Sequence, residues 1–174
     1  MLIDLNVLLE YTDWERQKWR ESLREHGDRI LLTTTGANSD ARFETVGDLI
    51  RHIFSAEKRY VERLSDKPLT DTASLPTENI EVLFKFGQES RKALREFIDT
   101  LPAQEWDKPR DYTMGAHPLR ATPKKFIIHV LLHEIRHWAQ ISTLLRQNGI
   151  KGDLHDFLFS PALGGDARLA QTKA

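Results

Sequence analysis

The sequence predicts an all-α fold, a four-helix bundle with two long crossover connections. Three observations lead there: four stretches in which apolar residues recur every third or fourth position, capping residues at their ends, and Gly-, Pro- and Thr-rich interruptions between the first and second and between the third and fourth. The chain has 174 residues and no sharp change in composition, which predicts one domain over residues 1–160. Residues 161–174, with Gly164-Gly165 followed by a polar, Ala-containing run, read as a C-terminal tail.

The first helix rests on Leu2, Leu5, Leu8, Leu9, Trp19 and Leu23, with charged residues between them. Gly27, Thr33-Thr34-Thr35-Gly36 and Asn38-Ser39-Asp40 then mark a long connection. Thr45 with Asp48 three residues later resembles a capping box, and Leu49, His52, Ile53, Ala56 and Tyr60 follow at helical spacing. After Pro76, Thr77 is read as the cap of a third helix whose inward stripe is Ile80, Leu83, Phe84, Gly87, Leu94, Phe97, Ile98 and Leu101, stopped by Pro102. Trp106 to Ala121 has Pro109, Gly115 and Pro118 and a poor strand signal, so it is read as a structured loop with at most a short hairpin and an exposed His117. Thr122-Pro123 opens the fourth helix and Gly149 closes it. That helix is apolar over much of its circumference, which predicts the most buried element, its histidines included. Leu154, Phe157 and Leu158 suggest a short docked segment beyond it.

The functional signal is in the fourth helix. His129, His133 and His137 recur every fourth residue, so their rings fall within about 80° of one another on one face. The outer two are about 12 Å apart along the axis, too far to share one ion bound at about 2.0–2.1 Å. Either His129 with His133 or His133 with His137 can form a metal-binding pair, and a third ligand must come from elsewhere. His52 is the natural candidate, although alone on an apolar face it would read as a core histidine.

Composition narrows the chemistry. The chain has no cysteine, which excludes disulfides, cysteine nucleophiles and thiolate ligands from it; any metal must use histidine or oxygen. A net charge of -1 argues against a general grip on nucleic acid or anionic membranes. No apolar run approaches the roughly 18–20 residues of a membrane span, and Met1-Leu2-Ile3-Asp4 does not open a signal peptide. A soluble cytoplasmic protein is expected.

Asp48-Leu49-Ile50-Arg51-His52-Ile53-Phe54-Ser55-Ala56-Glu57 resembles the second-helix signature of the DinB family, the DinB/YfiT-like metalloenzymes. His129-Val130-Leu131-Leu132-His133-Glu134-Ile135-Arg136-His137 resembles its fourth-helix signature, and Asp13-Trp14 and Asn148-Gly149-Ile150 also fit. The likeness covers nearly the whole chain. It implies a four-helix bundle with unusual crossovers, often a homodimer, that holds a divalent metal on His52, His133 and His137. It also implies metal-dependent hydrolysis or thiol-dependent transfer on a small molecule, with a low-molecular-weight thiol in some members. Gln140 fits the family pattern, whereas Trp138 and Ala139 stand where many members carry arginine and glycine.

Three neutral imidazoles leave at least one coordination position open, as in catalytic sites, and nitrogen ligands suit zinc or nickel. His129, one turn from His133, is a candidate proton shuttle or hydrogen-bond partner of the site. Glu57 and Glu134 lie off the histidine stripe and read as salt-bridging residues. Two other readings compete. His133-Glu134-Ile135-Arg136-His137 is formally HExxH, the zinc-peptidase motif, for which Asp153, His155 or Asp156 would have to complete the site. Alternatively, the metal only stabilises a dimeric, non-catalytic bundle.

Overall fold

The structure is a computed structural model that describes residues 4–35 and 43–164. Gly36 and Asn38-Ser39-Asp40 of the first connection, Leu2 of the first stripe, and the tail from residue 165 lie outside the described residues. The order is α1 (Leu5–His26), a 3₁₀ turn (Asp28–Leu32), α2 (Val46–Leu64), α3 (Ile80–Thr100), a 3₁₀ turn (Ala103–Glu105), β1 (Arg110–Met114), β2 (His117–Ala121), α4 (Pro123–Gln147) and a 3₁₀ turn (Phe157–Phe159). α2 packs against α3 and α4, and α1 against both of the same helices. The fold is therefore mostly helical, but the two-stranded sheet corrects the all-α expectation.

Local chemistry explains most boundaries. Asp4 caps α1, accepting from Asn6 N at 3.1 Å. Thr45 and Asp48 form a reciprocal capping box on α2: Asp48 N donates to Thr45 Oγ1 at 3.2 Å and Thr45 N to Asp48 Oδ2 at 3.1 Å. α3 starts later than expected. Asn79, not Thr77, is its cap, accepting from Val82 N at 2.9 Å, because an Asn side chain satisfies the free first-turn amide as well as Thr does. Thr122 caps α4 through Lys125 N at 3.1 Å with Pro123 at the first helical position. Gly149, at φ +77°, takes the left-handed turn that ends the helix.

The hairpin pairs Arg110 with Ala121 through to Met114 with His117, leaving Gly115-Ala116 as a two-residue turn. Gly115 has φ +61°, the conformation required at the first central position of a type II′ turn. Pro118 is tolerated because a two-stranded ribbon leaves one side of each strand unpaired. Tertiary packing supplies what strand propensity lacks: the Tyr112 ring meets Phe126 of α4 with centroids 4.5 Å apart, and Ala121 is buried.

The core has two apolar halves. One gathers Trp19, Ile50, Phe54, Leu83, Phe84, Trp138 and Ile141; the other gathers Leu9, Val61, Leu94, Phe126, Ile127, Val130 and Leu131. Between them, each helix contributes a buried charged residue: Arg16, Glu57, Arg91 and Glu134. Arg16 donates to Glu134 Oε1 from Nε at 2.5 Å, to Glu57 Oε2 from Nη2 at 2.9 Å, and to Gly87 O from Nη1 at 3.0 Å. Arg91 Nη2 reaches Glu134 Oε2 at 2.7 Å, its Nε lies 3.0 Å from Glu57 Oε2, and its Nη1 donates to Thr12 Oγ1 at 2.8 Å. Trp138 Nε1 adds a donor to Glu134 at 3.0 Å. Burial opposes ionisation of Glu134, but the adjacent Arg16 and Arg91 charges outweigh it and hold the carboxyl below its ordinary range. Gly87 lets α3 approach closely, since a Cβ there would lie 2.8 Å from the Phe54 ring.

Two stability predictions follow from this layer. Arg16→Met strands Glu57 and Glu134 with Arg91 as their remaining cation and is expected to cost about 3–5 kcal/mol, read as a lower urea midpoint; a midpoint equal to wild type would refute the network's role. Glu15 is the second case: it is 4% exposed, its Oε2 has no hydrogen-bond partner, and burial, reinforced by the Glu134 charge, pushes its pKa up to about 8. The folded state therefore holds this proton more tightly than the unfolded chain, so the Glu15 contribution is fully present below about pH 4.5 and declines as pH rises through about 8. Glu15→Gln should leave melting near pH 5 almost unchanged and raise it at pH 8.5 by several degrees, on the scale of about 2–4 °C per kcal/mol. An equal difference at both pH values would contradict the shift.

Candidate metal centre

His52 on α2 and His133 and His137 on α4 are brought together where the two helices face each other. One ligand nitrogen from each lies within 4.8 Å of the others. His133 Nε2 is 3.0 Å from His137 Nε2 and 3.2 Å from His52 Nε2. Nitrogen donors around a tetrahedral ion at bond lengths of about 2.0–2.1 Å lie about 3.3 Å apart, so the two spacings at His133 suit a shared transition-metal ion, with the set as a whole lying within 4.8 Å. When His133 Nε2 and His137 Nε2 are both unprotonated, their lone pairs face each other at 3.0 Å. A shared cation relieves that arrangement.

Protonation favours the same donor set. Burial, then the neighbouring imidazoles of His137, His52 and His129 and the Arg136 charge, push the His133 pKa down to about 3, so this ring stays neutral and keeps its lone pair. Gln140 Oε1 lies 2.5 Å from His137 Nδ1. An amide oxygen only accepts, so Nδ1 carries the proton and Nε2 faces the other two rings as a donor. Phe43 packs on His52 with centroids 4.5 Å apart and closes one side of the site.

The expectation that the α4 histidines are all buried is corrected: His137 is buried, His133 half-buried and His129 exposed. An α-helix facing its neighbours along part of its length exposes the rest, and the stripe drifts outward toward its N-terminal end. His129 does not join the three-ring group. Its Nε2 instead lies 3.1 Å from Tyr60 Oη, and its ring centroid is 5.7 Å from that of His133. The HExxH reading finds little support, because the Glu134 carboxylate is held by Arg16, Arg91 and Trp138 and is not placed to act as a base. Nor do its proposed third ligands approach the site. His155 stacks on Trp19 at 4.2 Å, its carbonyl accepts from Tyr11 Oη, and Asp156 caps the last 3₁₀ turn.

Hollows of about 450 Å³ and about 290 Å³ flank the histidines, and His52, Ser55 and Arg59 line both. The second also reaches His133, Tyr60, Arg63 and Met114. Sequence reasoning passed over Ser55, Arg59 and Arg63. Their signal was available: steps of three, four and four from His52 keep all of them on one face of α2. Among the described residues no helix is long and apolar enough to cross a membrane.

No functionally curated protein shows significant sequence similarity to the chain. A solved structure, that of a DinB-like protein from Bacillus cereus, superposes with a TM-score of 0.65 at 17% sequence identity, covering 84% of this chain and 94% of that one. At that identity the likeness speaks for the fold alone. The family model described as the DinB family matches residues 1–164, and with nearly the whole length accounted for, the chain belongs to the DinB family.

Proposed function

We propose that the protein is a metal-dependent enzyme that carries out hydrolysis or thiol-dependent transfer on a small molecule at a zinc or nickel ion held by His52, His133 and His137. The observation that carries this reading is the convergence of the three imidazole nitrogens from two helices, together with the hollow beside them. A divalent cation bound there supplies Lewis-acid activation of water, a thiol or a carbonyl. In this reading the chain is a cytoplasmic homodimer built as a four-helix bundle, and it acts on neither nucleic acid nor membrane.

The protein's own groups have separate tasks. Gln140 holds the His137 ring in one tautomer and orientation, and burial keeps His133 unprotonated. Burial also raises the Tyr60 pKa, so its hydroxyl stays protonated and donates to His129 Nε2. Burial lowers the His129 pKa, which favours the neutral ring in that bond. His129, exposed to solvent one turn from His133, is placed to carry a proton between the groove and bulk water. Among the described residues no carboxylate joins the three rings, which leaves room for substrate and favours an enzyme over a closed structural site.

Metal analysis of purified protein tests the assignment. Wild type and His129→Ala are expected to retain about one equivalent per chain, and His52→Ala, His133→Ala and His137→Ala to lose it; retention by all three of the latter would refute the centre. Gln140→Leu is expected to weaken metal affinity by about 10–100-fold through loss of the orienting hydrogen bond, read by competition with a chelator. Metal-loaded protein should then turn over members of an ester, amide and thiol-acceptor panel, with activity absent from His133→Ala. Full loading without turnover anywhere in the panel would favour the metal-stabilised scaffold.

A further inference from the structure

The hollow beside the centre has a charge pattern that the metal reading does not use. His52, Ser55, Arg59, Tyr60, Arg63 and His133 line it with no carboxylate among the described residues, whereas Asp48 and Asp71 line the larger hollow that shares His52, Ser55 and Arg59. Most arginines of this chain with a buried or structural task are paired: Arg16 and Arg91 in the central layer, Arg51 with Asp48, and Arg20 and Arg24 with Glu81. Arg59 and Arg63 pair with no carboxylate among the described residues. Arg63 Nη1 donates to the Arg59 backbone carbonyl at 3.3 Å, and its guanidinium lies 5.9 Å from the Tyr60 ring centroid. Ser55, 6% exposed, has an Oγ without a hydrogen-bond partner.

Arg63 is half-buried and Arg59 exposed, and neither has an ion-pair partner among the described residues, so the hollow presents two like charges beside the imidazoles that an anion can join. The overall charge of the chain, -1, shows that this is local placement and not a general basic character. Desolvation and the neighbouring Arg59 charge both lower the Arg63 pKa, as expected for a cation short of a partner. Tyr60 and Met114 also line an adjoining hollow of about 270 Å³ whose other walls include Leu119, Phe126 and His129. The groove thus changes along its length from the metal centre, to a cationic stretch, to an apolar end. Arg59 lies seven residues beyond His52, about 10 Å along the α2 axis, which an arginine side chain partly spans.

We propose that this groove recognises a small amphipathic organic anion: Arg59 and Arg63 bind its carboxylate or phosphate head, its apolar portion rests against Met114, Leu119 and Phe126, and its reacting group meets the three-histidine centre. The proposal rests on the metal-dependent reading for its last clause only. Guanidinium groups suit such a head because they offer paired, planar donors to oxyanions, and Ser55 Oγ is available as a further donor.

Calorimetric titration of hexanoate, hexyl phosphate, hexanol and acetate tests it, using metal-free and zinc-loaded wild type, Arg59→Ala, Arg59→Lys and Arg63→Ala. Hexanoate or hexyl phosphate should bind metal-free wild type at least tenfold more tightly than hexanol or acetate, and the tighter of the two identifies the head group. Arg59→Ala should lose at least tenfold of that affinity, Arg59→Lys should recover part of it, and zinc content should not change in any arginine variant. Anions binding no better than hexanol, or undiminished affinity in both alanine variants, would overturn the subsite. Failure of the metal reading is separate: zinc would not bind wild type, while the arginine dependence in metal-free protein would still stand or fall by itself.

Discussion

The buried layer of Arg16, Glu57, Arg91 and Glu134 is the constraint on which the arrangement depends. Each of the four helices contributes one of these residues, and each residue sits between members of the two apolar halves of the core. An apolar stripe alone lets a helix slide or rotate by a fraction of a turn at modest cost, since one hydrophobic contact replaces another. A buried carboxylate does not allow this, because moving it from its guanidinium partners exposes an uncompensated charge to a low-dielectric interior. The network thus specifies rotation and register more than it adds stability.

That specification reaches the histidines directly. Glu134 adjoins His133 and is three residues before His137, and Glu57 is five residues beyond His52, so anchoring the two carboxylates toward α1 and α3 turns the imidazoles toward the seam between α2 and α4. The same helices then carry two electrostatic environments. On one side opposite charges neutralise one another in a closed network; on the other, neutral rings stand next to Arg59 and Arg63, which have no carboxylate partner among the described residues. The first holds the backbone in place, and the second offers donors to a cation and to an anion.

The helices were legible because their signals are local. Thr45 with Asp48, Thr122 with Pro123, and Gly149 act within one turn of chain, and the backbone amides they satisfy belong to their own helix. Where two local signals competed, as with Thr77 and Asn79, the sequence reading chose the wrong one, since either side chain can cap. The hairpin was under-read because Arg110–Ala121 has little strand propensity of its own; its Gly115 turn and the contact of Tyr112 with Phe126 stabilise it, and the second of these lies outside the segment. The 3₁₀ turn that buries Ile30 and Leu31 was likewise hidden inside what read as a plain connection.

By itself, then, the sequence determined the number and approximate extent of the helices, the absence of cysteine side chains, and the shared face of His129, His133 and His137, because periodicity, capping and composition are properties of contiguous chain. Only the tertiary structure decided that His133 and His137 meet His52 while His129 turns to Tyr60, that Glu134 belongs to Arg16 and Arg91, and that Arg59 and Arg63 border the centre with no carboxylate partner among the described residues. Those outcomes depend on how far one helix is rotated against another, and that rotation is set by contacts between residues 41 to 118 positions apart, which no local pattern encodes.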